Sequence, residues 1–247
     1  MSLKKLKYYL REERRAKSHF RVTIKGGKFN MASKRDVPPR KTLSKENLLL
    51  RGVPAEYIEG TLRDYVQDDE YKDFFKKYLS NLHLMYEDRV NLCLYGANGT
   101  GKTFLSSLIV KEGYRLRYKT ALVTMQGLID LNFKPHKTYE DWERIKMIKE
   151  ADFLVIDELG KENFTKSGSN INLLEETLRN AVTRGQVVII CTNLPLEGEG
   201  GLYHQYGASI KSLIDGSFVK LEFDNSDYRP IHLNKKRAIK LLRGEED

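Results

Sequence analysis

The segment Gly96-Ala97-Asn98-Gly99-Thr100-Gly101-Lys102-Thr103 constrains this chain more than any other. It follows a compact apolar run, Val90–Tyr95, and precedes a stretch with helical periodicity, Phe104–Leu116. Glycines let backbone N–H groups turn inward around an anion, and a helix N-terminus adds the positive end of its dipole. The pattern Gly-x4-Gly-Lys-Thr between strand and helix therefore predicts a loop that cradles ATP phosphates, lined by residues Gly96 to Phe104. Lys102 is expected to reach the β- and γ-phosphates, and the Thr103 hydroxyl to bind Mg²⁺. An ordinary glycine-rich turn is the competing reading, and the strand–loop–helix context weighs against it.

An acidic pair supports the same site. Phe153–Ile156 reads as a buried strand and runs straight into Asp157-Glu158. An acid at the C-terminal end of a parallel strand stands where ligands bind in such sheets. Asp157 is expected to hold Mg²⁺ and Glu158 to polarise the attacking water as general base. Alone the pair is a weak signal, because many acids cap strands. One strand–helix unit after the glycine loop, it is a strong one. Asn193 follows the next strand and is expected to orient water near the γ-phosphate, the alternative being a strand-end turn.

The rest of the chain alternates strand and helix patterns. Further strands are expected at Ala121–Met125, Val187–Cys191 and Phe218–Phe223, and helices at Tyr139–Glu150 and Ile171–Thr183. Helical patterns also cover residues 54–66 and 69–84 ahead of the first strand. Such alternation implies an α/β fold with a parallel sheet covered on both faces. No internal repeat is visible. The 24 residues after Phe223 are too few for another folded domain. Cys93 and Cys191 sit in apolar strand runs and read as core residues, since no four-ligand cluster suggests zinc.

Charge divides the chain in two. Residues 1–46 hold 15 Lys/Arg against 4 Asp/Glu, an excess of 11, while the whole chain is +9. The remainder therefore carries a small negative charge. We divide the chain into a basic arm and linker, 1–46, and an ATPase domain, 47–247. Within the arm, residues 3–17 have helical spacing and His19–Ile24 could form a short strand. The arm suits a polyanion or an acidic protein surface, or is a solvated tail. No leader-like or membrane-spanning apolar stretch is present, so a cytoplasmic location is expected.

Taken together, these motifs resemble the AAA+ family, and within it the helicase loaders of the DnaC/DnaI type and the related IstB-like transposase helpers. The resemblance covers roughly residues 48–230. It rests on Gly96–Thr103, the run Leu154–Gly160, Arg184 ahead of a strand ending in Thr192-Asn193, and the closing Asp227-Tyr228-Arg229. It implies a five-stranded parallel sheet in the order 5-1-4-3-2 without a C-terminal helical lid. Arg184 would belong with Glu158, Lys102 and Asn193 among the catalytic residues, Asn193 being the sensor. The implied partners are a hexameric replicative helicase of the DnaB type, single-stranded DNA, and copies of the chain itself. Either a phage or another mobile element is a plausible source.

The chain departs from the loader pattern in three places. Where loaders carry an arginine that acts on a neighbour's ATP, this chain reads Gly207-Ala208-Ser209-Ile210-Lys211. Lys211 lacks the planar fork of a guanidinium, and an arginine finger is worth about 10³–10⁵ in rate. Slow hydrolysis alone is therefore expected, with Lys211 either a substitute or an exposed lysine. The zinc-bearing domain of some loaders is replaced by the basic arm. A polar insert, residues 161–170, follows the acidic pair.

Between the second strand and the acidic pair, aromatic and basic residues interleave. Lys134 and Lys137 flank Pro135 and are the first candidates for DNA contact, with Trp142 close by. The same stretch holds acids, and Trp142, Ile145 and Ile148 also fit a helix face packed on the core. Three functions thus compete: a helicase loader, a transposase helper that marks target DNA, and an ATP-holding adaptor or inhibitor of a helicase with little turnover.

Overall fold

The computed structural model describes residues 41–66, 69–162 and 168–223. Residues 1–40, the closing Asp227-Tyr228-Arg229 and the basic stretch Lys235–Arg243 lie outside the described residues.

Five strands form one parallel sheet: β1 (Asn91–Gly96), β2 (Thr120–Thr124), β3 (Phe153–Leu159), β4 (Val187–Thr192) and β5 (Phe218–Phe223). Their order is β2-β3-β4-β1-β5, the expected arrangement read from the other edge, and every pairing is parallel. The crossovers are α4 (Lys102–Arg115), α5 (Met125–Phe133) with α6 (Tyr139–Lys149), α7 (Ser169–Thr183) and α8 (Leu202–Ser217). Three helices precede β1: α1 (Lys45–Leu50), α2 (Asp69–Ser80) and α3 (Leu82–Glu87). The described residues end with β5, and among them no helix is long and apolar enough to cross a membrane.

The two-residue period of the strands sorts the core onto two faces. Leu92, Leu94, Leu122, Val155, Ile189 and Leu221 pack under α4 and the helices that precede β1. Cys93, Val123, Leu154, Ile156, Val188 and Ile190 pack under α5, α6, α7 and α8. Both cysteines are buried and unbridged, and burial pushes the Cys93 thiol up to about 12. The edge strand β5 alternates, with Lys220 and Glu222 outward.

The sequence pattern does not show α5 or α8, it merges α2 with α3, and in one place the element itself differs. Residues 54–66, which read as a helix, form two 3₁₀ turns, Ala55–Tyr57 and Leu62–Asp64. Pro54 starts the first turn, and Thr61 with Asp64 makes a capping box at the second. The carbonyls that a helix would use internally point instead at a buried cation. Lys111 Nζ donates to Tyr57 O at 3.1 Å, Ile58 O at 2.5 Å and Gly60 O at 2.5 Å. Bonds to a distant ammonium thus take the place of α-helical bonds at Ile58 and Gly60, while Tyr57 O also accepts the Gly60 N–H at 3.2 Å.

Candidate nucleotide site

The loop leaves β1 at Gly96 and enters α4 at Lys102. Ala97 N donates to Phe223 O at 2.9 Å, which ties the loop's first residue to the end of β5. Glycine is required at Gly96 (φ 120), where a Cβ would fall 2.2 Å from Phe223 O, and at Gly101 (φ 89), where it would meet the Tyr65 ring at 2.8 Å. Thr100 Oγ1 donates to Ala97 O at 2.9 Å and braces the turn. Lys102 is buried, and its ammonium lies inside the loop, donating to Gly96 O (2.8 Å), Ala97 O (2.6 Å) and Thr100 Oγ1 (3.2 Å). These acceptors are ones that phosphate oxygens can replace. Ala97 and Asn98 are exposed at the tip. Phe104 turns outward from α4 to meet the Tyr57 ring edge-on at 5.6 Å, so the 3₁₀ segment covers the start of the helix.

The acidic pair is set by a break in the sheet. Ile156 pairs with Ile190 and Leu159 with Thr192, so β3 spends three steps where β4 spends two. That extra residue is a bulge. Glu158 takes φ 56, a left-handed conformation that is costly for a non-glycine residue. A regular strand would send Asp157 and Glu158 to opposite faces, and the bulge re-aims Glu158 at the strand end. Asp157 stays buried, accepting the Glu158 backbone N–H at 2.7 Å and the Thr103 hydroxyl. Burial pushes the Asp157 carboxyl above the usual carboxylate range, and those two hydrogen bonds pull it partly back. A hydroxyl and a carboxylate side by side beneath a phosphate loop make a hard-oxygen donor set. It suits Mg²⁺, which needs one or two protein oxygens and completes its shell from phosphate and water.

β4 lies between β1 and β3, so its end opens between the phosphate loop and the acidic pair. Thr192 Oγ1 donates to Leu159 O at 2.7 Å and fixes the two strand ends together. Asn193 comes next, half-buried. The structure thus brings Lys102, Thr103, Asp157, Glu158 and Asn193 to three neighbouring strand ends. It does not bring Arg184 there. Arg184 caps α7 ahead of β4, at the opposite end of the sheet, and donates to Lys149 O at 3.3 Å. Lys134 and Lys137 brace the α5–α6 connection. Lys134 pairs with Asp141 at 2.5 Å, and Lys137 donates to Asn132 O at 3.0 Å and Lys134 O at 3.1 Å. Lys211 is ion-paired to Glu197 and lies over the Tyr203 ring.

Sequence reading missed the residues that support the loop from outside: Tyr57, Tyr65 and Lys111. A lysine directly after the apolar run Leu108–Val110 was the available signal, since a buried ammonium needs dedicated acceptors. Also unforeseen is an open groove of about 460 Å³ lined by Trp142, Ile145, Lys146, Lys149, Glu150 and Arg184. Trp142 is 57% exposed with Lys137 Nζ 5.6 Å from its ring centroid, and Glu150 is paired with Lys119, so Lys146, Lys149 and Arg184 are the cations that line the groove beside the indole.

Comparison with known proteins agrees with this geometry. Two insertion sequence IS21-like ATP-binding proteins of Bacteroides fragilis are similar in sequence. One is 30% identical over 111 residues, which span 45% of this chain and 41% of that protein. The other, from strain YCH46, is 29% identical over 150 residues, which span 58% of this chain and 69% of that protein. Among solved structures, the DnaC helicase loader superposes with a TM-score of 0.57 at 19% identity, over 68% of this chain and 99% of that one. That likeness concerns the fold. The IstB-like ATP binding protein family matches residues 63–209, from the second 3₁₀ turn to the kinked helix α8, and the chain belongs to that family.

Proposed function

We propose that this chain is an ATP-dependent loader of a ring-shaped replicative DNA helicase. In this reading, ATP binding and hydrolysis are coupled to helicase engagement and to contact with single-stranded DNA. The observation that carries it is the hydrolytic constellation at the strand ends, a phosphate loop with the Thr103–Asp157 pair and the bulged Glu158 beside it. Lys102 exchanges its loop carbonyls for phosphate oxygens. Thr103 and Asp157 would hold Mg²⁺, which when bound neutralises charge that develops on the phosphates. Glu158 orients and deprotonates water, and Asn193 steadies that water from the neighbouring strand. The ties on Lys211 support slow turnover by the protein alone. The groove around Trp142 supports DNA contact, because cations beside an open indole suit a phosphate backbone and stacked bases.

Light scattering of the chain mixed with its host's replicative helicase, with and without ATP, tests the proposal. A stoichiometric complex is expected, and hydrolysis should rise with helicase and single-stranded DNA together. Absence of any complex, from protein that binds ATP normally, would sink the loader reading. The IS21-like relatives favour a second reading, an ATPase that prepares target DNA for a transposase. That reading predicts ATP-dependent assembly on duplex DNA and no affinity for the helicase. ATP-dependent helicase binding without stimulated turnover would instead mark an adaptor.

A further inference from the structure

Glu162 is a buried carboxylate that the nucleotide chemistry leaves unused, being only 5% exposed. Its Oε2 accepts the Gly160 N–H at 2.8 Å, and its Oε1 accepts the Tyr206 hydroxyl of α8. A carboxylate is kept out of water only where donors are built around it, and here they come from two distant parts of the chain. One is the turn that carries Glu158, and the other is the first half of α8.

The turn itself is tight. Lys161 N donates to Glu158 O at 3.1 Å, and Lys161 Nζ holds Glu158 Oε1 at 2.6 Å. Gly160 has φ 92, and a Cβ there would fall 2.4 Å from Leu194 Cδ1. The turn therefore packs against the segment that follows Asn193. That segment is bound in turn to α8, through Leu202 N to Pro195 O at 2.8 Å and Tyr203 N to Leu196 O at 3.1 Å. Directly after Tyr206, α8 breaks at Gly207 (φ 84, ψ 177). Beyond the break, Ser209 donates to Glu175 on α7 at 2.5 Å and accepts from Arg179 at 2.8 Å. Leu202–Tyr206 is thus a short block that supports the base turn and the sensor loop at once.

We propose that Glu162 is a positioning residue for ATP hydrolysis, a pin that fixes the Glu158 turn to α8 through Tyr206. The inference rests on the reading of Glu158 as general base. Misplacing a catalytic group by about 1 Å can cost on the order of 10²-fold in rate. Loss of the pin should therefore lower kcat and leave ATP affinity intact, because the bonds of Glu162 run to Gly160 and Tyr206.

The test compares Glu162→Ala, Glu162→Gln, Tyr206→Phe and the Ala/Phe double variant with wild type, using Glu158→Gln as reference. Steady-state hydrolysis is measured alongside amide exchange of residues 158–161. Glu162→Ala should lose roughly 10–100-fold in kcat, with KM for ATP within about threefold. Glu162→Gln should recover most of this, since its oxygen can accept from Gly160 and its amide can donate to the Tyr206 oxygen. Tyr206→Phe should lose less than Glu162→Ala, and the double variant should be no worse than Glu162→Ala alone. Amides of the turn should exchange about tenfold faster in Glu162→Ala. Wild-type kcat in Glu162→Ala, equal losses in affinity and kcat, or no recovery in Glu162→Gln would each overturn the proposal. If Glu158→Gln hydrolyses ATP like wild type, the general-base reading fails instead. The pin then stands or falls on the exchange data, and unchanged protection of Gly160 would refute it.

Discussion

Replacing Asp157 with Asn should make the nucleotide-free protein more stable while disabling it. Asp157 is 4% exposed, and burial holds its carboxyl above the usual carboxylate range. Its ionised form is therefore destabilising where it stands. The amide can keep both local bonds. Its oxygen accepts the Glu158 N–H now at 2.7 Å, and its NH₂ can donate to the Thr103 hydroxyl. Only the desolvated charge is removed. Relief of this kind at functional sites is typically worth about 0.5–2 kcal/mol. At this chain length a gain of about 1 kcal/mol raises Tm by about 2–4 °C. The sign with pH follows from linkage. Between the unfolded Asp value, about 3.9, and the higher folded value, the native state holds more protons than the unfolded one. Wild-type stability therefore falls as pH rises through that window, and Asp157→Asn should flatten the fall. ATP with Mg²⁺ should raise the wild-type Tm, since ligand at 100 Kd adds about 2.7 kcal/mol, and should raise the variant's far less. Differential scanning calorimetry of both proteins, apo and liganded, across pH gives every term. An apo variant that melts below wild type would refute the account, because it would mean that the charge itself holds the site together.

Other substitutions probe the surroundings of the loop. Lys111→Met leaves the carbonyls of Tyr57, Ile58 and Gly60 without their shared donor, and urea unfolding should show a loss of about 2–4 kcal/mol; a change below about 0.5 kcal/mol would show that the ammonium contributes nothing net. Gly101→Ala combines φ 89 with a Cβ pressed on Tyr65, and anisotropy with a fluorescent ATP analogue should show affinity lowered at least about tenfold. Trp142 is the single tryptophan of the chain, so its emission reports on the basic groove directly. Single-stranded oligonucleotides should quench it, and Lys146→Glu with Lys149→Glu should abolish the quench; unchanged emission at saturating DNA would remove the groove from the DNA-contact reading.

How much of this was legible in the sequence depended on how local each cause is. The strands were legible because buried parallel strands read as continuous apolar runs. The loop and the acidic pair were legible as places in the fold, because glycine spacing between strand and helix and a buried run ending in two acids are local features of the sequence. The 3₁₀ turns at residues 55–64 were not, since the apolar spacing fits a helix and only the distant Lys111 diverts the carbonyls. Helix α8 has no counterpart in the sequence analysis, although Leu202, Tyr206, Ile210 and Ile214 line one buried face, because the kink at Gly207 interrupts its period. The aim of Glu158 depends on a register shift against β4, which no property of β3 alone reveals. Lys134 and Lys137 looked like free cations on a loop, and their partners Asp141 and Asn132 became visible only once the α5–α6 turn was folded.

The handedness of the crossovers explains why the segment before β1 bears on the nucleotide loop at all. From β1 the chain crosses β4 and β3 to reach β2, then steps back through β3 and β4 to β5. Right-handed connections in opposite directions must lie on opposite faces. That leaves α4 as the one crossover on its side, with the other four crossover helices sharing the second face. A single helix cannot cover five strands, so the first face needs further cover. Leu48, Val53, Ile58, Tyr65, Phe75, Tyr78 and Leu82 supply it from ahead of the sheet. Since α4 begins at the phosphate loop, the cover that packs beside its first turn also lies beside that loop. Tyr65 against Gly101 and Tyr57 against Phe104 are the contacts that result. The topology thus makes the N-terminal cover a wall of the nucleotide site.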